Sequence, residues 1–155
     1  MKTAHRNESR AKRYQADPLA MFRVFGRVSP FTEEEQRLMN MPVRIAYDLM
    51  LHRKGEEADF HTLAAAVNVA MVCSEKIGLL AEETCILARD AMKRVWDRHA
   101  KTGEWGFDGP AIVELDLAIN IYEQLTANLT GGQLKDAMSE CIRRMQAGEV
   151  LEVES

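Results

Sequence analysis

The stretch from Gly109 to Leu125, GPAIVELDLAINIYEQL, constrains the fold most, because it is apolar on more sides than a surface helix tolerates. Pro110 suits the first turn of a helix, and Asp108 or Gly109 can cap it. The apolar side chains cover an arc of roughly 180°, wider than the stripe of an ordinary surface helix. They are Ile112, Leu115, Ala118, Ile119, Ile121, Tyr122, Leu125 and Leu129. The polar side chains gather on the remaining face and are Asp116, Asn120, Glu123 and Gln124. We predict a central helix that meets water only along this polar face, or alternatively one that shares part of its apolar arc with a second subunit.

A second stretch is apolar nearly all round. We predict a helix from Phe60 to about Ile77, with Asp59 as its cap, and its alanines allow close approach by neighbouring helices. Asn68 is the polar exception, and a buried amide without partners costs about 1 to 3 kcal/mol. We interpret Asn68 as a structural hydrogen-bonding residue that fixes helix register, with a ligand contact as the alternative.

The first long helix begins at a capping box formed by Thr32 and Glu35. Its apolar residues are Leu38, Met39, Ile45, Ala46, Leu49 and Met50. Pro42 removes a backbone hydrogen bond and costs about 3 kcal/mol in a straight helix interior. The sequence therefore predicts a kink or break near Asn40.

Two further helices complete the expected architecture. One is predicted from Leu80 to about Lys101, and a last one starts at Thr130 and ends at Gly148. Trp105 and Phe107, in a glycine-rich loop, are expected to cover the core. No stretch shows sustained strand alternation, so we predict an all-α fold, an irregular bundle of five or six helices with an N-terminal basic arm.

Length and cysteine content set the class of protein. A chain of 155 residues fits one domain that buries roughly 70% of its unfolded surface without disulfides or a structural metal. Cys73, Cys85 and Cys141 are odd in number and lie in apolar helical patterns, which is typical of buried thiols in a reducing compartment. No apolar run reaches 18 residues and no signal peptide is apparent, so we expect a cytoplasmic protein with no membrane partner.

Charge divides the chain into three parts. The net charge is −4, but residues 1–17 carry +3 and residues 18–155 carry −7. We predict a disordered basic arm over 1–17, a single helical domain over 18–148 and an acidic tail over 149–155. An acidic body disfavours nonspecific binding to DNA and favours partners with basic surfaces.

Residues 18–28 are too apolar to be left in water. Phe22 and Phe25 are the largest of their apolar side chains, and docking on a second chain is one way to cover them. We therefore predict a homodimer whose interface contains Phe22, Phe25, Ile121 and Leu125.

The sequence contains no recognisable catalytic or cofactor-binding motif. The four histidines are scattered, with no spacing that converges on a metal, and no phosphate-binding glycine loop occurs. Glu114 projects into the apolar arc of the helix from Gly109, where burial would raise the pKa of its carboxyl. An enzyme would require a polar pocket around Glu114, Asn68 or His61. We expect no enzyme activity, no cofactor and no metal.

Two segments carry a resemblance. DFHTLAAAVN, residues 59–68, and the stretch 102–123, which opens TGEWGFDGPAIV, resemble small proteins encoded by prophages and mobile elements of proteobacteria. The similarity covers residues 30–148 and contains no catalytic signature. It implies short, acidic, phage-borne proteins that bind and block a host machine, a class that includes anti-CRISPR proteins.

The leading hypothesis is a non-enzymatic inhibitor in the host bacterial cytoplasm that binds a host defence complex. In its most specific form it is an anti-CRISPR protein that occludes a basic site on an RNA-guided CRISPR effector. The candidate partner-binding residues are the acidic groups Glu33, Glu34, Glu35, Glu82 and Glu83.

The alternative is a dimeric nucleic-acid-binding regulator of the mobile element. Cations of the basic arm would contact phosphates, and the helical body would serve as the dimerisation unit. Its candidate nucleic-acid-binding residues are Arg6, Arg10, Lys12 and Arg13.

Overall fold

The structure is a computed structural model and describes residues 30–151. In this range the chain forms five helices, and an isolated antiparallel bridge joins Pro30 to Thr130. The helices are α1 (Glu33–Leu51), α2 (Glu57–Ser74), α3 (Leu79–Thr102), α4 (Gly109–Asn128) and α5 (Gly131–Gln146). The predicted all-α bundle is confirmed. Between residues 30 and 151, no helix has both the length and the apolar character needed to cross a bilayer.

Short connections set the topology. Only two to six residues join successive helices, so neighbours along the chain run antiparallel. Helices α1 and α3 each pack against both α2 and α4, which also contact each other, and α5 packs against α2. The starts of α1 and α3 therefore lie at the same end of the bundle, separated by the α2 and α4 pair.

Helix α2, rather than α4, is the central helix. It contacts all four other helices, and 11 of its 18 residues are buried. Fully buried alanines, among them Ala64 on α2, Ala88 on α3 and Ala111 on α4, allow the backbones to approach closely. Helix α4 leaves Val113 60% exposed and Leu117 48% exposed. The prediction that α4 meets water only along its polar face is therefore wrong, although Leu115 and Ile119, which the sequence assigned to its apolar arc, are buried.

Helix α1 runs without interruption through Pro42. The break predicted near Asn40 does not occur. Pro42 is exposed, so water can reach the carbonyl of Leu38 that lacks its helical donor. Buried side chains before and after Pro42, including Met39 and Val43, hold both parts of the helix on the same core.

The helix starts follow the capping chemistry of the sequence, with one correction. The capping box predicted for α1 is present, and Asp108 caps α4 by accepting a hydrogen bond from the Ala111 N–H at 2.8 Å. Asp59 does not occupy the cap position of α2. Glu56 does, and the Asp59 carboxylate lies three residues into the helix, where it accepts the Glu56 N–H at 2.8 Å. The helix thus begins three residues before its predicted start.

The chain after α5 returns to the core. Val150 and Leu151, assigned from sequence to the acidic tail, are both buried. The side chain of Asn68, 2% exposed, donates to the Leu151 carbonyl at 2.8 Å and accepts the Leu151 N–H at 3.2 Å. Asn68 is therefore a structural hydrogen-bonding residue, but its partner is this returning segment.

Candidate protein-binding surfaces

The polar groups considered for catalysis lie apart. The Glu114 carboxylate accepts a hydrogen bond from Arg94 Nη2 at 2.7 Å, which gives it a charge partner, and Asn68 holds Leu151. His61 lies seven residues from Asn68 on α2, about 10 Å along the helix axis. Among residues 30–151, no group of three or more His, Cys, Asp or Glu side chains could hold a metal ion. Within residues 30–151, Glu114 and Asn68 are bonded to different partners and do not share one polar pocket with His61.

Burial disfavours the thiolate form of all three cysteines. Cys73, Cys85 and Cys141 are free thiols in or beside the core. Burial raises the pKa of Cys85 to about 11 and that of Cys141 to about 12. Both therefore remain protonated, and the thiolate is the reactive form of cysteine.

The polar face of α4 contacts α1 as well as water. Arg44 of α1 donates to Asp116 from Nη1, to Asn120 from Nη2 and to Glu123 from Nε, each at 2.6 Å. The hydrogen bond with Glu123 is the main cause that raises the Arg44 pKa above its ordinary value. Sequence reasoning missed this contact, although the spacing of the three acceptors along one helix face suits a single cation.

An apolar surface of α3 and α4 is left open. Four aliphatic side chains on these helices are 48–80% exposed, and together we call them the α3–α4 strip. They are Leu80, Leu87, Val113 and Leu117. Leu80, Leu117 and Ile121 line a groove of about 630 Å³ between the two helices. A strip of this kind is a candidate binding surface.

The two α4 residues assigned to a dimer interface differ in their surroundings. Ile121 lines the groove, but Leu125 is only 6% exposed and packs in a cluster with Ala70 and Cys85. Little of the Leu125 side chain is left to contact a second chain. The other two predicted interface residues, Phe22 and Phe25, lie outside the described residues.

Helix α1 presents a second apolar surface. Three of its apolar side chains are 46–50% exposed and spaced i, i+3, i+7, and together we call them the α1 outward face. They are Leu38, Met41 and Ile45. Sequence analysis grouped Leu38 and Ile45 with the core residues Met39 and Ala46. Adjacent residues point about 100° apart on a helix, so Leu38 and Met39 cannot share one narrow stripe. The structure places them on different faces.

The acidic candidate residues occupy two helix starts at one end of the bundle. Glu33, Glu34 and Glu35 lie in the first turn of α1, at the start of the α1 outward face. The Glu35 carboxylate accepts the Thr32 N–H at 2.8 Å, so it serves the capping box. Glu82 and Glu83 lie near the start of α3, and the exposed Glu83 is one turn from Leu80. The five residues thus form two acidic groups on separate helices.

The described part of the chain is acidic. Residues 30–151 contain 13 lysines and arginines against 20 aspartates and glutamates, a net charge of −7. The arm cations Arg6, Arg10, Lys12 and Arg13 lie outside the described residues. Basic partner surfaces are therefore favoured for the helical body.

Comparisons with known proteins identify no relative. No protein family, no curated protein and no solved structure matches the chain.

Proposed function

We propose that this protein is a non-enzymatic binding protein that docks the α1 outward face on a host protein. The observation that carries the proposal is the set of three half-exposed apolar side chains, Leu38, Met41 and Ile45, opposite the buried side of the same helix. Amphipathic helices present anchors at this spacing to an apolar groove of a partner. Full burial of such a side chain contributes about 1.5–3 kcal/mol, and roughly half of that remains to be gained here.

Charge indicates the surroundings of the partner groove. Glu33 and Glu34 stand at one end of the α1 outward face, and the exposed Asp48 stands near the other. A groove rimmed by lysine and arginine complements this arrangement. Surfaces that hold nucleic-acid phosphates have such a rim, and a bound acidic protein would exclude the nucleic acid.

The most specific form of the proposal is an anti-CRISPR protein acting in the cytoplasm of the host bacterial cell. It rests on the sequence resemblance to small phage-borne proteins together with the acidic body. The protein would occlude a basic nucleic-acid channel of an RNA-guided effector, with Glu82 and Glu83 as a second acidic contact.

The test measures DNA binding by purified CRISPR effector complexes with and without this protein at low salt. Inhibition is expected, and it should weaken as salt rises. Met41→Asp and Ile45→Asp should abolish inhibition, because each places a charge in the middle of the α1 outward face. Ile142→Asp on α5 is the matched control, because this side chain is 38% exposed and belongs to neither the α1 outward face nor the α3–α4 strip. Folding of each variant is checked by circular dichroism.

Two results would contradict the proposal. Absence of binding to every effector tested, with folded protein at low salt, would exclude the anti-CRISPR form. Equal inhibition by wild-type protein and both α1 variants would exclude the α1 outward face as the contact.

The nucleic-acid-binding alternative has a separate test. It predicts a DNA mobility shift that is lost when residues 2–13 are deleted. Phosphate contacts are strongest at low salt, so absence of a shift at about 50 mM salt would count against it. The net charge of −7 over residues 30–151 leaves the basic arm as the DNA contact in this reading.

A homodimer remains part of the proposal. The α3–α4 strip supports it, because aliphatic side chains 48–80% exposed are more stable when a second copy covers them. Ile121 stays a candidate interface residue, and Phe22 and Phe25 of a second chain are candidate contacts for the groove.

A further inference from the structure

The turn between α2 and α3 carries two apolar side chains on its outer surface. Ile77 is 58% exposed, and Leu79, the first residue of α3, is 71% exposed. We call these two side chains the α2–α3 knob. Leu79 is followed in the chain by Leu80, which lines the groove between α3 and α4. An apolar projection and an apolar recess are therefore neighbours on one surface.

Backbone hydrogen bonds hold this turn in one shape. The N–H groups of Ile77 and Gly78 both donate to the carbonyl of Ser74, at 3.0 Å and 3.1 Å. Ser74 is 0% exposed, so the bonds are anchored in the core. Gly78 has a φ of 144°, a conformation that side chains disfavour. A segment fixed in this way loses little conformational entropy when it binds, which favours association through the knob.

The groove between α3 and α4 is suited to an apolar occupant. Three of its four polar lining residues are bonded within the chain. Thr84 Oγ1 donates to the Leu80 carbonyl at 2.8 Å, and Asn120 and Glu123 each accept a hydrogen bond from Arg44 at 2.6 Å. Apolar atoms can therefore enter without leaving these three groups unpaired. The apolar lining residues are Leu80, Ala81, Leu117, Ile121 and Ala127.

Charges beside the knob and the groove favour a second copy as the occupant. Lys76 is exposed and directly precedes the knob, and Glu83 is exposed one turn after Leu80 at the edge of the groove. A knob seated in the groove of a second copy brings its Lys76 to the edge where that copy's Glu83 stands. One surface thus carries a projection, a recess, a cation and an anion, the self-complementarity that a two-fold contact requires.

We propose that two copies associate about a two-fold axis, with the α2–α3 knob of each copy seated in the groove of the other. The inference rests on the homodimer of the proposed function and names the segment that fills its groove. Each copy uses one knob and one groove, so the assembly closes as a dimer.

Sedimentation equilibrium of the full chain measures the dimer dissociation constant. Leu79→Asp removes the knob and Ala127→Trp fills the groove, so each should raise the dissociation constant at least about tenfold. Aspartate in the first turn of α3 suits the helix dipole, and circular dichroism checks the folding of each variant. Ile142→Asp and Ala100→Trp, at exposed sites outside the knob and the groove, are the matched controls and should leave the constant unchanged.

A mixture of the two variants tests whether the contact is reciprocal. Leu79→Asp keeps its groove and Ala127→Trp keeps its knob, so the mixed dimer retains one of the two contacts. Its dissociation constant should lie between that of the wild type and that of either variant alone. Association in the mixture that is no stronger than that of the separate variants would overturn the proposal.

The same measurements separate this proposal from the homodimer on which it rests. A monomeric wild-type protein would exclude both. A dimeric wild type with an unchanged dissociation constant for Leu79→Asp would overturn the role of the knob and leave the homodimer standing. Loss of the dimer in Ala127→Trp alone would assign the groove to another occupant, such as Phe22 or Phe25 of the second chain, and would also overturn the proposal.

Discussion

Arg44 illustrates how one side chain changes the interpretation of a whole helix. It binds Asp116, Asn120 and Glu123, the residues that pattern alone assigned to water. The apolar residues Val113 and Leu117 flank this polar face and stay exposed. Arg44 thus joins α1 to α4 through residues that periodicity alone placed on a solvated face.

We expect Arg44→Gln to lower the free energy of unfolding by about 1–2 kcal/mol. Hydrogen bonds to charged groups contribute about 1.5–3 kcal/mol, and we discount this because the Arg44 side chain is 34% exposed. Arg37→Gln is the control. The Arg37 and Glu34 side chains are 67% and 65% exposed, so the change should cost no more than about 0.5 kcal/mol. Urea unfolding measures the free energy of unfolding of both variants. An equal decrease for Arg44→Gln and Arg37→Gln would contradict the role of Arg44.

Glu140 and Glu75 make the stability depend on pH in acid. Arg143 and Arg144 lower the pKa of Glu140 from 4.5 to about 2, and Arg144 lowers the pKa of Glu75. A pKa lowered in the folded state contributes stability that is complete above the unfolded value and is lost as pH falls through the folded value. We therefore expect the free energy of unfolding to fall from pH 4.5 toward pH 2.

Arg144→Gln is the control for this dependence. It removes hydrogen bonds to both carboxylates, so the decline in acid should become shallower. Urea titrations between pH 2 and pH 6 measure the slope for each protein. Identical slopes for the variant and the wild type would exclude these pairs as its source.

At the scale of the element, α2 organises the bundle because it can be buried on every side. Its alanines and branched apolar residues leave no polar stripe that would require water, and Asn68 is satisfied by the chain after α5. Helix α1 is different, since one side is core and the opposite side is the α1 outward face. The same apolar residue types therefore have opposite roles on these two helices.

Two leucines test this distinction. Leu63→Ala on α2, where the side chain is 0% exposed, should lower the free energy of unfolding by about 2–5 kcal/mol. Leu38→Ala on α1 removes the same atoms from a side chain that is 47% exposed, and should cost about 0.5 kcal/mol. Thermal or urea unfolding compares the free energies of unfolding of the two variants. A loss for Leu38→Ala as large as that for Leu63→Ala would mean that the α1 outward face is covered within the chain.

Capping patterns and proline had unequal predictive value. The capping box of α1 and the Asp108 cap of α4 were predicted from sequence and are confirmed, because caps depend on residues three or four positions apart. A kink or break near Asn40 was predicted from the same local rules, and no break occurs there. Burial of α1 on both sides of Pro42 offsets the cost of one missing hydrogen bond.

At the scale of the whole molecule, the two exposed apolar surfaces predict separate functions. The α3–α4 strip is expected to be buried in a homodimer interface. The α1 outward face is expected to contact the host protein. They lie on different helices, so each can be altered without the other. This separation makes oligomeric state and partner binding independent measurements.

We expect the double variant Val113→Asp, Leu117→Asp to be a monomer while the wild-type protein is a dimer. Two charges placed on the strip would have to be desolvated on association, which disfavours the dimer. Light scattering after size-exclusion chromatography measures the mass of each. Ile45→Asp, on the α1 outward face, is the control and should remain dimeric. A monomeric mass for wild-type protein would contradict the homodimer.

The sequence by itself determined the helical class, the caps of α1 and α4 and the burial of α2, because each depends on periodicity and on chemistry within one or two helical turns. Tertiary structure alone decided which side of α1 and α4 faces outward. Arg44 and its three acceptors lie 72 to 79 residues apart along the chain. Periodicity shows that a helix has a polar face, but only packing shows whether water or a neighbouring side chain satisfies it.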